Sequence, residues 1–374
     1  MEGEKTPGAL RHLQRMTRSF IHDGRRISYV NIYSRAVEDG RDAPLEFITA
    51  RESGFEGIAC IDDVARAAIL ALRVDEQRPS IVARRLARDW LDFVLYMQGD
   101  DGRFTNFICD ESGSHNTTGR TSYAGGEWWT ARAMWALACG YRATGDTRYR
   151  DAFLRGRFAP TTSMKIKAVH ALALMEMHAR DDNPLLLRQV QSLCDAIVAS
   201  SRAGFMHDRD STPNVAMWGF HQLEAVARTA VLLDRPDYLD ACRDTVRNLI
   251  VPVVADGFYH VYPVQQDGQC AYDISTLVVG LESLYEGTGD PMHRALALEC
   301  ASWLDGRNAA HERLYDPRTG CCSDGVTNGV ASGNYGAESA IEAGNADIAR
   351  RRLTREALPA FSDFAPAAAV GQLP

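Results

Sequence analysis

Long apolar runs are missing from this chain of 374 residues. No segment approaches the roughly 18 consecutive apolar residues of a membrane span, and the first residues, MEGEKTP, lack the apolar core of a secretion signal. An excess of positive charge is missing as well, because the formal net charge is −8 and the pI is about 5.7. We therefore expect a cytoplasmic protein that binds neither membranes nor nucleic acid.

Interdomain linkers and nucleotide-binding loops are also missing. No Ser/Gly/Pro-rich tract interrupts the helical periodicity, which predicts one domain over residues 62–358. A helix with an irregular lead-in is expected over 1–61, and a flexible tail over 359–374. The sequence has no Gly-x-Gly-x-x-Gly or Walker-type loop, and its nine cysteines lack the spacing of a zinc site. We expect reduced core cysteines, no cofactor and no metal.

Helical periodicity is the dominant pattern of the chain after residue 61. Leu86, Trp90, Phe93 and Met97, for example, follow one another at spacings of four, three and four residues, which places them on one helix face. The connections alternate between short turns containing Gly or Pro and long loops. Helices that follow long loops start near residues 62, 127, 164, 216, 272 and 334. Six starts with six return helices predict six helical hairpins.

Two turns of nearly the same sequence, GYRATGD (140–146) and LYEGTGD (284–290), indicate an internal repeat of these hairpins. This organisation resembles the six-hairpin (α/α)6 toroid of many glycoside hydrolases, unsaturated-uronyl hydrolases, polysaccharide lyases and sugar 2-epimerases. The resemblance implies an all-α, single-domain ring whose six inner helices all point the same way. The N-terminal ends of those helices are then expected to meet at one mouth.

The segment Ile61-Asp62-Asp63-Val64 carries a second, local resemblance, to the Val/Ile-Asp-Asp segment of unsaturated-uronyl hydrolases. This resemblance implies that Asp62 is the catalytic acid/base. An aspartate at a helix start also commonly caps free N–H groups. We expect one of the two aspartates to cap the helix and the other to face the substrate, and the residues leave open which does which.

Similar clusters of carboxylates and aromatic rings stand at the other predicted helix heads. Sugars stack their C–H faces on Trp and Tyr rings and bind carboxylates through hydroxyl groups, so this mixture favours a carbohydrate ligand. The helix from Met164 lacks a polar head and is expected to serve packing. The candidate catalytic residues are Asp62, Asp63, Glu127 and Asp273, and the candidate substrate-binding residues are Trp128, Trp129, Trp218, His221, Tyr272, Asn334, Tyr335 and Glu338.

These residues predict a glycoside hydrolase that acts on an oligosaccharide. One carboxylate is expected from Asp62 or Asp63. The other is expected from Glu127 or Asp273, on a different hairpin. Carboxylates on different hairpins leave room for a water molecule between them, which favours inversion at the anomeric carbon.

Three alternatives stay open. A sugar 2-epimerase needs two histidines beside the substrate, of which His221 is the well-placed one. A polysaccharide lyase of the same fold would use residues such as Tyr272, His221 and Asn334. A non-catalytic toroid would only bind sugar. The identity of the sugar, its linkage and whether the chain forms a homo-oligomer are also left open.

Overall fold

Helices make up most of this computed structural model, which describes residues 4–37, 44–209, 214–258, 260–262 and 268–355. The predicted tail over 359–374 lies outside the described residues. In chain order, the described helices are α1 (Gly8–Met16), α2 (Ile61–Gln77), α3 (Ile81–Tyr96), α4 (Glu127–Thr144), α5 (Thr147–Arg155), α6 (Met164–Asp181), α7 (Pro184–Ala199), α8 (Gln222–Leu233), α9 (Pro236–Thr245), α10 (Val251–Ala255), α11 (Ala271–Thr288), α12 (Pro291–Ala301) and α13 (Ala337–Arg355).

Six of these helices form a closed inner ring. Helices α2, α4, α6, α8, α11 and α13 each pack against the next, and α13 packs against α2. The return helices α3, α5, α7, α9 and α12 pack on the outside, each against the inner helix that precedes it. This arrangement confirms the predicted all-α (α/α)6 toroid. None of the described helices combines the length and the apolar character that crossing a membrane requires.

Helix α1 takes the outer position beside the last inner helix, α13. It can do so because Leu10, Leu13 and Met16 recur every three residues and therefore lie along one face, and all three are fully buried. The described residues contain no return helix after α13. The first helix of the chain, α1, occupies that outer position instead.

Short antiparallel strand pairs lie in the segments that connect the helices. Six pairs are described: β1 (Thr17–His22) with β2 (Arg25–Val30), β3 (Tyr33–Ala36) with β4 (Leu45–Ile48), β5 (Ala59–Cys60) with β6 (Phe107–Ile108), β7 (Val215–Ala216) with β8 (Val261–Tyr262), β9 (Tyr315–Asp316) with β10 (Cys321–Cys322), and β11 (Val326–Thr327) with β12 (Val330–Ala331). The apolar spacing of residues 11–22 predicts a first helix over that segment, but the helix ends at Met16 and strand β1 occupies residues 17–22. The turn between β1 and β2 is Asp23–Gly24, both at positive φ (48° and 73°), which is a two-residue hairpin signal present in the sequence.

The fourth inner helix begins later than expected. A helix start near residue 216 was predicted, but α8 begins at Gln222. Strand β7 occupies residues 215–216, and Gly219 then turns the chain at a φ of +66°. Trp218 and His221 therefore lie in the turn before the helix, where their side chains can approach the ring axis.

Ion pairs close the end of the ring at which the inner helices finish. Arg228 of α8 contacts Glu176 of α6 at 2.9 Å, and Arg352 of α13 contacts Glu282 of α11 at 2.7 and 2.8 Å. These pairs link neighbouring inner helices in their C-terminal halves. The opposite end, where the inner helices begin, is the end that carries the candidate site.

The packing of α1 against α13 leads to a stability prediction. Leu13→Ala removes a fully buried side chain, which should lower the free energy of unfolding by about 2–5 kcal/mol. Leu154→Ala is the matched control, since Leu154 is 68% exposed and its loss should cost less than about 0.5 kcal/mol. Urea unfolding followed by circular dichroism measures both. Equal costs for the two variants would show that α1 does not stabilise the ring.

Candidate active site

The second residue of five inner helices contributes to one connected cluster at the mouth of the ring. These residues are Asp62, Trp128, Lys165, Tyr272 and Glu338. A residue four positions further along a helix lies one turn deeper on the same face. The sequence places Arg66, Arg132 and Glu342 at that depth.

Arg66 is the centre of the first half of this cluster. Its Nη2 contacts Asp63 Oδ1 at 2.7 Å, Glu338 Oε2 at 3.0 Å and Asp62 Oδ2 at 3.2 Å. Its Nη1 contacts Glu342 Oε1 at 2.8 Å. One buried guanidinium therefore serves four carboxyl groups from helices α2 and α13.

Arg132 is the second buried cation. Its Nη1 donates to Asp62 Oδ2, and its Nη2 donates to the Tyr272 hydroxyl at 2.9 Å. The guanidinium carbon lies 4.9 Å from the ring centroids of Trp128 and Trp218, and 5.1 Å from that of Tyr272. Aromatic faces attract a cation at this distance, so three rings help to keep Arg132 charged and fixed.

Asp63 has an unusual protonation behaviour. It is 3% exposed, and burial raises its pKa to about 7. Arg66 opposes this rise, whereas the neighbouring Asp62 and Glu338 reinforce it. The physical reason is that Arg66 divides its charge among four acids, so its attraction does not offset the desolvation of Asp63. The carboxyl can therefore hold or release a proton near neutral pH.

Neither aspartate caps the helix, in contrast to the expectation from the sequence. The N-cap of α2 is Cys60, whose Sγ accepts a hydrogen bond from the Asp63 N–H at 3.4 Å. Asp62 and Asp63 are the second and third residues of the helix, so both carboxyl groups are available to the cluster. The same arrangement recurs at α11, where Cys270 is the N-cap and Asp273 is the third residue.

A cavity of about 1020 Å³ opens above this cluster. Its floor includes Asp62, Asp63 and Glu338, and its walls come from the loops before α2, α4 and α13. Acidic side chains outnumber basic ones among the lining residues, which include Glu52, Glu56 and Asp324 but only one arginine, Arg51. Asn334, predicted to bind substrate, also lines this cavity.

Trp218 forms an aromatic wall beside the cluster. Its indole Nε1 donates to Glu338 Oε1 at 3.1 Å. Its ring makes edge contacts with Trp128 and Tyr272, with centroids 5.1 and 5.0 Å apart. Trp128, Trp218 and Tyr272, all predicted to bind substrate, are thus brought together, and Trp218 contacts Glu338, which was predicted to bind substrate as well.

His221 lies below the cluster and is buried. Its Nε2 is 3.1 Å from the Tyr272 hydroxyl, and its Nδ1 is 2.9 Å from Glu224 Oε2. Burial opposes ionisation of Glu224. The hydrogen bond to His221 and the charges of Arg73 and Arg228 outweigh this effect and lower the pKa of Glu224 to about 2. His221, which was predicted to bind substrate, thus contacts the buried side of Tyr272.

Asp273 sits apart from the Arg66 cluster and contacts a histidine that the sequence analysis did not select. His260 Nδ1 lies 2.9 and 3.0 Å from the two oxygens of Asp273. In the described part of the chain, His260, Cys270 and Asp273 are the group with ligand-type atoms close enough for a metal, within 4.8 Å of one another. Both Asp273 oxygens are already engaged by His260, however, and one also accepts from the Cys270 N–H at 3.0 Å. His260 and Asp273 therefore form a hydrogen-bonded pair.

The remaining predicted residues occupy other positions. Glu127 accepts a hydrogen bond from Thr161 Oγ1 at 2.6 Å. Trp129 is 7% exposed, and its indole donates to the Phe104 carbonyl at 2.9 Å, so it packs in the core. The Tyr335 main chain is anchored to strand β3, since its N–H donates to the Ser34 carbonyl at 2.8 Å.

Lys165 corrects the expectation that the third hairpin has no polar head. It is 4% exposed at the second position of α6, and its Nζ donates to the Trp218 carbonyl. Burial lowers its pKa to about 8, against the attraction of Asp208.

Sequence reasoning also missed Arg66, Arg132, Glu342 and His260. Three of these stand four residues after a predicted head, which is the signal that could have found them.

The pKa of Asp63 leads to a prediction about stability and pH. In the unfolded chain this carboxyl loses its proton near pH 3.8, whereas in the folded protein it does so near pH 7. The folded state holds the extra proton between these values, so raising the pH through this window favours unfolding. Asp63→Asn should therefore gain roughly 2–3 kcal/mol relative to wild type between pH 5 and pH 8.

Urea unfolding at both pH values measures this difference. Asp23→Asn is the control, because the Asp23 side chain is 89% exposed. A stability difference between Asp63→Asn and wild type that is the same at both pH values would contradict the raised pKa.

Comparisons with known proteins agree with this architecture. A scan of the sequence against protein-family models gave no match, and a search of curated proteins gave none either. Solved structures do match. A sugar epimerase from a ruminal bacterium is 14% identical, with a TM-score of 0.63, over 87% of this chain and 94% of its own. A D-mannose isomerase is 11% identical, with a TM-score of 0.65, over 92% of this chain and 96% of its own.

A third match is an α-1,6-mannanase of Salegentibacter sp. HEL1_6. It is 13% identical, with a TM-score of 0.58, over 82% of this chain and 95% of its own. That structure is of an inactive variant with two consecutive aspartates changed to asparagine, in complex with α-1,6-mannotriose. At these identities the likeness concerns the fold. The chain has the six-hairpin (α/α)6-toroid architecture that glycoside hydrolases and sugar epimerases share.

Proposed function

We propose that the protein hydrolyses a glycosidic bond in an oligosaccharide and that Asp63 donates the proton to the leaving oxygen. The observation that carries this proposal is the placement of Asp63 on the cavity floor, where four carboxyl groups share Arg66. A general acid works best when its pKa lies near the working pH, and burial raises that of Asp63 to about 7.

Asp62 is the fixed negative charge beside the acid. Arg66 and Arg132 both bind its Oδ2, so the carboxylate is held in one position at the mouth. An anion in that position stabilises the positive charge that develops on the sugar ring during glycosidic cleavage. The mannanase comparison supports a role for the pair, since its inactive variant has two consecutive aspartates replaced.

The cavity supports a neutral oligosaccharide as substrate. A space of about 1020 Å³ accommodates more than one sugar ring. Trp128 and Trp218, which are partly exposed beside the cluster, provide aromatic surface on which sugar C–H groups can pack, whereas Tyr272 is buried behind them. The excess of lining carboxylates, such as Glu52 and Glu56, repels a uronate and accepts hydrogen bonds from uncharged hydroxyl groups.

Substitution of Asp63 tests the proposal. Asp63→Asn cannot donate the proton and should lower kcat by roughly 10²–10⁴-fold on substrates with an unactivated leaving group. Release of reducing ends from a panel of neutral oligosaccharides measures kcat. Wild-type activity should fall as the pH rises through about 7, because Asp63 then loses its proton. Asp23→Asn is the matched control and should keep wild-type activity. Full activity in Asp63→Asn would show that Asp63 is not the proton donor.

A sugar 2-epimerase is the second candidate, favoured by one observation. Two histidines each pair with a carboxylate: the buried His221 with Glu224, and the partly exposed His260 with Asp273. Epimerisation exchanges the hydrogen on C2 with solvent, whereas hydrolysis does not. Proton NMR of a reducing disaccharide incubated with the protein in D₂O separates the two reactions. Deuterium at C2 without bond cleavage would favour the epimerase.

A further inference from the structure

Asp273 is placed to orient a neighbour and not to touch a substrate. It is 1% exposed, and both of its oxygens contact His260 Nδ1, at 2.9 and 3.0 Å. Oδ2 also accepts from the Cys270 N–H at 3.0 Å, which ties the carboxylate to the start of α11. A carboxylate held this way fixes the orientation and the tautomer of the ring in front of it.

The second ring nitrogen of His260, Nε2, takes no part in the contact with Asp273. Because Nδ1 donates to Asp273, Nε2 carries the lone pair and can accept a proton. The side chain is 35% exposed, so it is open to a ligand. Its carbonyl accepts from the Met217 N–H at 2.7 Å, where strand β8 pairs with β7. His260 is thereby fixed next to the segment that carries Trp218.

This segment joins His260 to the Arg66 cluster. Trp218 donates from Nε1 to Glu338, which contacts Arg66. The Trp218 carbonyl accepts from Lys165, the head of the third inner helix. Trp218 therefore lies between the two groups: its indole contacts Glu338 of the Arg66 cluster, and its main chain lies next to His260 and Lys165.

We propose that His260 is a second catalytic residue, a general base that activates the attacking water, and that Asp273 is its positioning residue. The inference rests on the proposed hydrolysis. Water gives one proton to His260 Nε2 while its oxygen forms a bond to the anomeric carbon. The glycosidic C–O bond breaks, and the leaving oxygen takes the proton of Asp63. Solvent then removes the proton from His260 and returns one to Asp63.

Several charged groups face His260 and shape its response to pH. The hydrogen bond with Asp273 raises the pKa of His260, burial lowers it, Lys165 lowers it and Glu338 raises it, with a net rise. Below that pKa the ring is already protonated and cannot accept a proton from water. The rate of hydrolysis should therefore fall on the acid side because of His260 and on the alkaline side because of Asp63.

Substitutions of the pair test this inference. His260→Ala and His260→Asn should each lower kcat by roughly 10²–10⁴-fold and should abolish the acid-side fall of kcat/KM while keeping the alkaline-side fall. Added imidazole should restore part of the activity of His260→Ala. Asp273→Asn should shift the acid-side fall to lower pH with a smaller loss of kcat, because His260 loses its carboxylate partner.

The exposed pair His22 and Asp23 provides matched controls. Their side chains are 51% and 89% exposed, and His22 Nε2 lies 3.5 Å from Asp23 Oδ2. His22→Ala and Asp23→Asn should behave as wild type. Thermal melting checks that each variant is folded, and His260→Asn replaces His260→Ala if the alanine variant is unstable.

The outcomes separate this inference from the proposed function. Wild-type kinetics in both His260 variants, with Asp63→Asn inactive, would overturn the role of His260 and leave the hydrolase standing. Activity that EDTA removes and Zn²⁺ restores would also overturn it, since the pair would then hold a metal. Absence of hydrolysis in the wild type would remove both proposals. Loss of the acid-side fall in the His260 variants alone supports the general base.

Discussion

The shortage of positive charge around Arg66 governs the chemistry of the mouth. Taking a guanidinium out of water is costly, and the four carboxyl groups of Asp62, Asp63, Glu338 and Glu342 offset that cost. Among the described residues, Arg132 is the second cation that pairs with one of these acids, and it binds Asp62. Four acids beside two arginines favour keeping one acid protonated, and burial raises the pKa of Asp63, which lines the cavity.

The geometry of the ring places these groups without any special loop. Inner helices that start at one end bring their second residues to the mouth, and the next turn supplies Arg66, Arg132 and Glu342 below them. Trp218, in the turn before α8, then connects two chemically different sides: carboxyl groups around Arg66, and a histidine with its carboxylate near Lys165. We propose that an oligosaccharide substrate spans both sides, with Asp63 as the acid on one and His260 as the oriented base on the other.

Sequence patterns predicted the ring because its inner and outer helices carry strong periodicity and alternate with short and long loops. They also indicated the heads at Asp62, Tyr272 and Glu338, since position along the helix determines where these residues lie. They could not predict the partners of Arg66, because Glu338 and Glu342 follow it by more than 270 residues. His260 was missed for a similar reason: it lies in a loop, and the pairing of β7 with β8 brings it to Trp218.

The protonation of Asp63 can be measured directly by carbon-13 NMR of the aspartate side-chain carboxyl groups as a function of pH. The signal that is present in the wild type and missing from Asp63→Asn identifies the residue. A midpoint near pH 7 is the result expected for a buried carboxyl that shares Arg66 with three other acids. A midpoint near pH 4 would contradict it, because Arg66 would then be sufficient to keep all four acids ionised and Asp63 could not serve as a proton donor at neutral pH.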